Sequence, residues 1–321
     1  MRRTVRRLKR ATQRATNSAV GVVTVGLLKL LRLTNPDTMG NIAGRFMRIV
    51  GPVLPENRIG RANLTAAFPE KSATEIDAIL DGVWDNLGRI AAEFAHLDRL
   101  SDFDPWHPER STRIEVRQVD LDRLFKVLKQ PKPAIVFGAH FGNWELPAVC
   151  AAACKLDTAV LYRRPNNPAI DKWLHDTRAA AMGTLIPTSL DAPMKLAEAL
   201  ERGTHVGMLV DQYYTRGVNV TFFGRPTKAN PLLARLARHF DCPIHGLRVV
   251  RLPGHRFRAE LTEQVQPVRD ADGKVNIAGT TQAIMSVIEG WIREYPEQWL
   301  WLHRRWRDRR AERGEAAPPA S

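Results

Sequence analysis

The chain has 321 residues, 44% of them hydrophobic, and carries a formal net charge of +14. That length buries a sizeable core, as one large domain or two closely joined ones, and excludes disorder of the whole chain. Three cysteines, Cys150, Cys154 and Cys242, with no C-x-x-C pair and no secretory spacing, exclude a disulfide framework and point to buried free thiols in a reducing compartment.

Positive charge gathers at the start. Arg2, Arg3, Arg6, Arg7, Lys9, Arg10 and Arg14 lead directly into the apolar run "AVGVVTVGLLKLLRL". Nucleic acid and anionic lipid both attract such charge, and its segregation ahead of an apolar segment favours a membrane surface. Charge is absent only from Asn17 to Leu28, short of the roughly 20 apolar residues of a spanning helix, and Lys29 and Arg32 follow. "LTNPDTMG" offers no good small-residue cleavage site, so the run reads as an uncleaved monotopic anchor over residues 1–33 and not as a signal peptide. A tilted span with snorkelling Lys and Arg, or a core helix behind a solvated basic tail, would give the same pattern.

Pro36 and "GPVLPENRIG" mark loops. Ser72 and Glu75 have capping-box spacing, and Ile76, Ile79, Leu80, Val83, Leu87, Ile90 and Phe94 then recur at helical intervals. "PAIVFGA", "DTAVLY" and "HVGMLV" are short continuous apolar runs, as expected of strands buried on both faces. Asp191 and Pro193 open a helix that Gly203 closes, and Asn230 with Pro231 opens another carrying Leu232, Leu233, Leu236 and Phe240. "PIHGLRVVRL", the Pro253-Gly254 turn and "HRFRAELTEQV" read as a hairpin, and Ile284, Val287, Ile288, Trp291 and Ile292 line a last helix. The fold class is α/β, a mixed sheet with flanking helices, in a domain over residues 34–310 with a disordered tail at 311–321.

Chemistry concentrates at "FGAHFGNWE" (Phe137 to Glu145). His140 stands just past the end of a predicted buried strand, and Asn143 and Pro147 sit where a helix through "NWELPAVCAAAC" would begin. Open α/β sheets usually place ligands at such a turn. Gly142 lets backbone approach a bound group, and a helix start directs free N–H groups toward any developing negative charge. His140 supplies a base near neutrality, and Glu145, brought back by the turn, is expected to hold one ring nitrogen and support the imidazolium. The pair suits deprotonation of an alcohol. A metal site fits worse, because H-x-x-x-x-E lacks the H-E-x-x-H pair and no His or Cys cluster completes it. From the residues alone, a His and a Glu in a loop are more often packing or surface groups. No G-x-S-x-G, Walker A or G-x-G-x-x-G pattern occurs, so neither a serine hydrolase nor nucleotide use is indicated.

Asp211 and Gln212 end a buried strand, where they would serve either a site or the cap of the next turn. Phe222 and Phe223 read as core or wall residues before a dedicated acyl pocket. "HRRWRDRR" reads as a solvated basic face or as a site for head-group phosphates. Trp299, Trp301 and Trp306 beside those arginines fit a membrane interface.

"GAHFGNWE" resembles the H-x-x-x-x-D/E motif of the late acyltransferases of lipid A biosynthesis, the lauroyl and myristoyl transferase family. In matching order, "NLTAAFPE", "YRRPNNP", "GMLVDQ", "FFGRPT" and "EYPEQWLWLHRRW" are similar to the same family, so the resemblance runs from about residue 20 to 306. It implies a glycerolphosphate-acyltransferase-like fold with an N-terminal membrane-anchoring helix. It also implies transfer of a fatty acyl group from an acyl carrier protein thioester to a hydroxyl of a lipid A precursor.

By the same resemblance His140 and Glu145 are catalytic and Arg163 holds anionic groups, with Arg164 standing where many relatives have proline. Substrate-binding roles are expected of Asn143, Arg163, Arg164, Asp211, Gln212, His303, Arg304 and Arg305, with no metal and no cofactor. Such an enzyme would sit peripherally or singly anchored at the cytoplasmic face of the inner membrane, because acyl carrier protein is cytosolic, and would bind anionic lipids and no nucleic acid. Two alternatives stay open. One is an acyltransferase acting on a phosphatidylinositol mannoside or lysophospholipid with acyl-CoA as donor. The other is a non-enzymatic basic module binding membrane or nucleic acid.

Overall fold

The computed structural model describes residues 18–307, so the basic residues 2–14 and the 311–321 tail lie outside it. Helix α1 occupies 18–31. Asn35 accepts from the Asp37 and Thr38 N–H groups and, with Pro36 behind it, starts α2 (Pro36–Val50). Helices α3 (Pro55–Ala67), α4 (Ala73–Glu93) and the short α5 (Leu97–Leu100) follow, α4 opened by the Ser72–Glu75 capping box that the sequence predicts. α2 lies on α4 through Gly40 and Gly44 and leaves Ile42, Phe46 and Ile49 facing outward. Among the described residues no helix is long and apolar enough to cross a membrane.

Seven strands form one sheet in the order β1-β9-β8-β2-β5-β3-β4. They are β1 (Ile114–Val116), β2 (Ile135–Gly138), β3 (Thr158–Tyr162), β4 (Thr184–Pro187), β5 (His205–Leu209), β8 (Ile244–Leu252) and β9 (Arg256–Leu261). All neighbours pair in parallel except β8 with β9, which form the hairpin expected around Pro253-Gly254. A separate antiparallel pair, β6 (Val218–Phe222) and β7 (Arg225–Ala229), carries the "FFGRPT" turn.

Strand alternation divides the sheet into two different faces. On one, Ile135, Phe137, Ala139, Val206 and Met208 are buried in the main core with residues of α9 (Ala192–Glu201), α10 (Leu232–Phe240) and α11 (Ile277–Glu294). Phe137 stacks on Trp291 at 5.7 Å, and each such fully buried side chain contributes about 1.5–3 kcal/mol. On the other face Val136, Gly138, Gly207, Leu209 and Val160 line a cavity of about 550 Å³, with α6 (Gln118–Lys129) and α7 (Leu146–Ala153) contributing to its walls. The three cysteines are free and buried, as the sequence suggests.

Candidate active site

Sheet register builds the site. β2 and β5 are neighbours, with Gly138 opposite Leu209, so the two residues that follow on each strand run on to His140 and Asp211, side by side. The Val210 N–H donates to the Gly138 carbonyl at 3.1 Å, continuing the ladder past the strand ends. His140 Nδ1 lies 2.9 Å from Asp211 Oδ1, and the His140 N–H donates to Oδ2 at 2.9 Å. Trp299 Nε1 donates to the same Oδ2 at 2.8 Å. Asp211 is completely buried.

These contacts fix the imidazole. An ionised Asp211 can only accept, so Nδ1 carries the proton and Nε2 presents its lone pair. Nε2 faces Gln212, whose amide nitrogen is 3.5 Å away, and Trp144 stands edge-on to the ring at 5.3 Å. All three side chains line the cavity. Burial opposes charge on His140, but Asp211, by its charge and its hydrogen bond, outweighs that and Glu145 adds to it, so the pKa rises above 6.5. Burial likewise opposes the Asp211 carboxylate, yet His140, and beyond it His303, hold its pKa far below the ordinary range.

Glu145 takes a different place from the one expected. Both its oxygens are engaged by Arg178, Nε at 2.9 Å to Oε2 and Nη2 at 2.6 Å to Oε1, and the hydrogen bond expected at the His140 ring goes to Asp211. Arg178, from α8 (Pro168–Ala179), lies over the rings of Phe94 at 5.1 Å and Tyr162 at 5.7 Å. Burial disfavours its guanidinium, but the Glu145 pair raises its pKa. Helix geometry explains the change: α7 starts at Leu146, so the turn carries Glu145 toward α8 and leaves the end of β5 beside His140.

Asn143 likewise turns inward. It is fully buried, donates to Glu93 Oε2 at 2.8 Å and accepts from the Glu145 N–H at 3.1 Å. Glu93 is held in turn by both ends of Arg251, whose Nε donates to Asn86, and Asn86 donates to the Gly142 carbonyl at 3.0 Å. This network pins the loop from His140 to Glu145 from behind. Gly142 has φ +55°, and a Cβ there would fall 1.8 Å from the Val249 carbonyl oxygen, so no other residue fits.

Arg163 and Arg164 are exposed just past β3, with Arg163 on the cavity lining, and Gln212 is exposed at its mouth. The C-terminal segment departs from expectation. Arg304 is exposed, but Arg305 is fully buried, donating to Thr227 Oγ1 at 2.9 Å and to the Lys228 carbonyl at 3.0 Å, and burial lowers its pKa to about 10. His303 is tucked against Trp299, and burial brings its pKa down to about 4. Trp299 and Trp301 are core residues, and Phe222 and Phe223 pack with them in the core. Arg305 is thus buried where an exposed basic face was expected, His303 is half-buried, and Trp299 and Trp301 are packed inside, because that segment folds inward beside Asp211.

Sequence reasoning had no means of finding Arg178, which is 33 residues from Glu145. A base with a lone pair at the mouth of an apolar cavity, backed by a buried carboxylate, suits proton removal from an alcohol attacking an acyl group. Comparison with known proteins points the same way. The profile of the bacterial lipid A biosynthesis acyltransferase family matches residues 8–308. The lipid A biosynthesis palmitoleoyltransferase of Escherichia coli (strain K12) is 26% identical over 259 residues, 78% of each chain. The lauroyltransferase of the same organism is 26% identical over 279 residues, 84% of this chain and 83% of the relative. Lipid A biosynthesis acyltransferase 2 of Shigella flexneri is 22% identical over 302 residues, 92% and 91% of the two chains. A match of that extent, over a chain whose strand ends carry this site, places the protein in the bacterial lipid A biosynthesis acyltransferase family and makes it an acyltransferase.

Proposed function

We propose that the enzyme transfers a fatty acyl group from an acyl carrier protein thioester to a hydroxyl of a lipid A precursor, as a late acylation step. The observation that carries this reading is the His140–Asp211 pair, with Nε2 open to a cavity of about 550 Å³ whose walls are mainly apolar. The acceptor hydroxyl gives its proton to Nε2 as its oxygen attacks the thioester carbonyl carbon. Asp211 keeps the ring in the receptive tautomer and balances the imidazolium. The C–S bond then breaks and the imidazolium returns the proton to the leaving thiolate, so no acyl-enzyme is needed. Gln212, beside Nε2, is placed to donate to the oxyanion. Glu145 adds negative charge near the imidazolium while Arg178 holds it in place.

The exposed Arg163 and Arg164 would meet phosphates of the acceptor or acidic groups of the carrier. The place of Arg163 on the cavity lining, with Arg164 next in the chain, supports that role. Val22, Val23 and Leu27 on α1 and Ile42, Phe46 and Ile49 on α2 are exposed, as are Leu190 and Met194 just past Thr188 of the cavity lining. A chain with such surfaces is suited to lie on the inner membrane, held by anionic lipid at the cytoplasmic face where the carrier protein is found.

The test is mass spectrometry of the lipid A fraction with and without the gene, followed by rescue with wild type and His140→Ala. Loss of one acyl chain, restored by wild type and not by the variant, is expected. An unchanged lipid A fraction with altered phospholipids would overturn the acceptor assignment.

A further inference from the structure

Residues 213–230 and 298–307 contain no Asp or Glu, yet they carry Arg216, Arg225, Lys228, Arg304, Arg305 and Arg307. Of these, Arg216, Arg225, Arg304 and Arg307 are exposed, and none pairs with a carboxylate of the described residues, whereas Arg178, Arg248 and Arg251 are each held by a glutamate. Glu289, which reaches the β6–β7 hairpin at the Phe223 N–H, is itself occupied by Arg293. Four unneutralised guanidiniums on one side of a site call for an anionic partner.

The fold gathers them. Just past β5 the Gly217 N–H donates to the Tyr214 carbonyl at 2.8 Å, a turn that presents Arg216. Val218 pairs with Ala229 and Phe222 with Arg225, so Arg216 stands at the base of the hairpin and Arg225 at its tip. The last described residues run along the same hairpin. Arg305 donates to Thr227 and Lys228, Arg225 lies over the Trp306 ring at 5.4 Å, and Arg307 lies over the Tyr213 ring at 5.0 Å. Stacking of this kind steadies a guanidinium without using its N–H donors, which stay free for carboxylates. The patch also adjoins the reacting group, because Tyr213 follows Gln212, which faces His140 Nε2, and Tyr213 and Tyr214 both line the cavity.

Its composition selects the kind of polyanion. A surface that enters a bilayer interface combines basic with apolar side chains. Exposed large apolar residues lie on α1 and α2 and at Leu190 and Met194, and among the described residues none lies within 215–230 or 298–307. A water-soluble acidic surface fits better. The five residues of β6 span about 16 Å from base to tip at about 3.3 Å each, which matches about three turns of an acidic helix laid along the hairpin.

We infer that Arg216, Arg225, Arg304 and Arg307 form the docking surface for an acidic soluble protein, the carrier of the acyl thioester, and hold it beside the cavity mouth so that its tethered thioester reaches His140. This inference rests on the acyl-transfer reading above and names where the donor's protein part binds. Attraction between such surfaces speeds encounter and weakens with salt.

The experiment measures binding of acyl carrier protein, without an acyl group, to the full-length enzyme in detergent. Wild type is expected to bind, and more weakly as salt rises from about 0.05 M to about 0.5 M. Arg216→Glu with Arg307→Glu should weaken binding by about tenfold or more, and lysine at both positions should keep most of it. Arg216→Glu alone, which disturbs no ring stacking, should show a smaller loss in the same direction. In transfer assays the Glu pair should raise KM for the carrier thioester by a similar factor, with kcat kept and the rate from an acyl-pantetheine thioester unchanged. Unaltered carrier binding in the Glu pair, or an equal loss with both donors, would overturn the docking surface. So would loss confined to binding of phosphatidylglycerol vesicles, which would make the patch a lipid contact. Wild type that binds the carrier and transfers from neither thioester would instead strike the acyl-transfer reading.

Discussion

Replacing Asp211 with Asn puts the tautomer argument under direct strain. In the native site Oδ2 accepts from the His140 N–H at 2.9 Å and from Trp299 Nε1 at 2.8 Å, while Oδ1 faces Nδ1 at 2.9 Å. A carboxamide has one accepting end and one donating end. With its oxygen at the two-donor position, its NH₂ points at Nδ1, which must then accept, and the ring proton moves to Nε2. The base is then blocked. The opposite flip leaves both N–H donors facing an NH₂, in a place with no exposure, at about 1–3 kcal/mol each. The receptive tautomer is therefore disfavoured by about 2–6 kcal/mol, and kcat/KM should fall by about 30-fold to about 10⁴-fold. The assay is the initial rate of acyl transfer from a carrier-protein thioester, with thermal unfolding of both proteins as a check that the fold is kept. A variant within about threefold of wild type at pH 7–8 would refute the assignment of Asp211 as orienter.

Because the base works unprotonated and its pKa is raised, kcat/KM should climb with pH through an apparent value above 6.5, and a wild-type acid limb centred below 6.5 would contradict the geometry. In Glu145→Gln the Arg178 guanidinium stays buried without its carboxylate, so thermal stability should drop by about 3–5 kcal/mol. Adding Arg178→Met should restore part of that loss. If the double variant also regains full transfer, Glu145 is a structural partner and plays no part in the reaction. Gly142→Ala should cost at least about 2 kcal/mol in chemical denaturation, since its Cβ would collide with the Val249 carbonyl, and an unchanged midpoint would show that the loop has another shape.

Much of the frame is legible from local pattern. The apolar runs at Ile135–Gly138, Thr158–Tyr162 and His205–Leu209 are strands, the Ser72–Glu75 spacing is a capping box, and Asn230 accepts from Leu232 N–H at the start of α10. β1 and β4 are not legible, because a three-residue strand and a four-residue edge strand carry too little alternation to stand out. The site divides in the same way. His140 is findable because it follows a recognisable strand. Its partner is not, since Asp211 is 71 residues away and meets it only through the adjacency of β2 and β5. Nearness in sequence favours Glu145, and the helix start at Leu146 turns that carboxylate toward Arg178. Composition misleads at Trp299 and Trp301, where aromatics next to arginines resemble a membrane belt but are packed inside.

The clasp from the segment around Trp299 gives the enzyme a temporal property. Gly142 N–H donates to the Gln298 carbonyl, Leu300 N–H donates to the His140 carbonyl, and the indole of Trp299 completes the Asp211 environment. Synthesis delivers His140 and Asp211 long before any of these groups exists. A nascent chain halted before Trp299 would hold both reacting side chains and lack their lock. Catalytic competence is thereby deferred until the segment around Trp299 has been made and has closed over the strand ends.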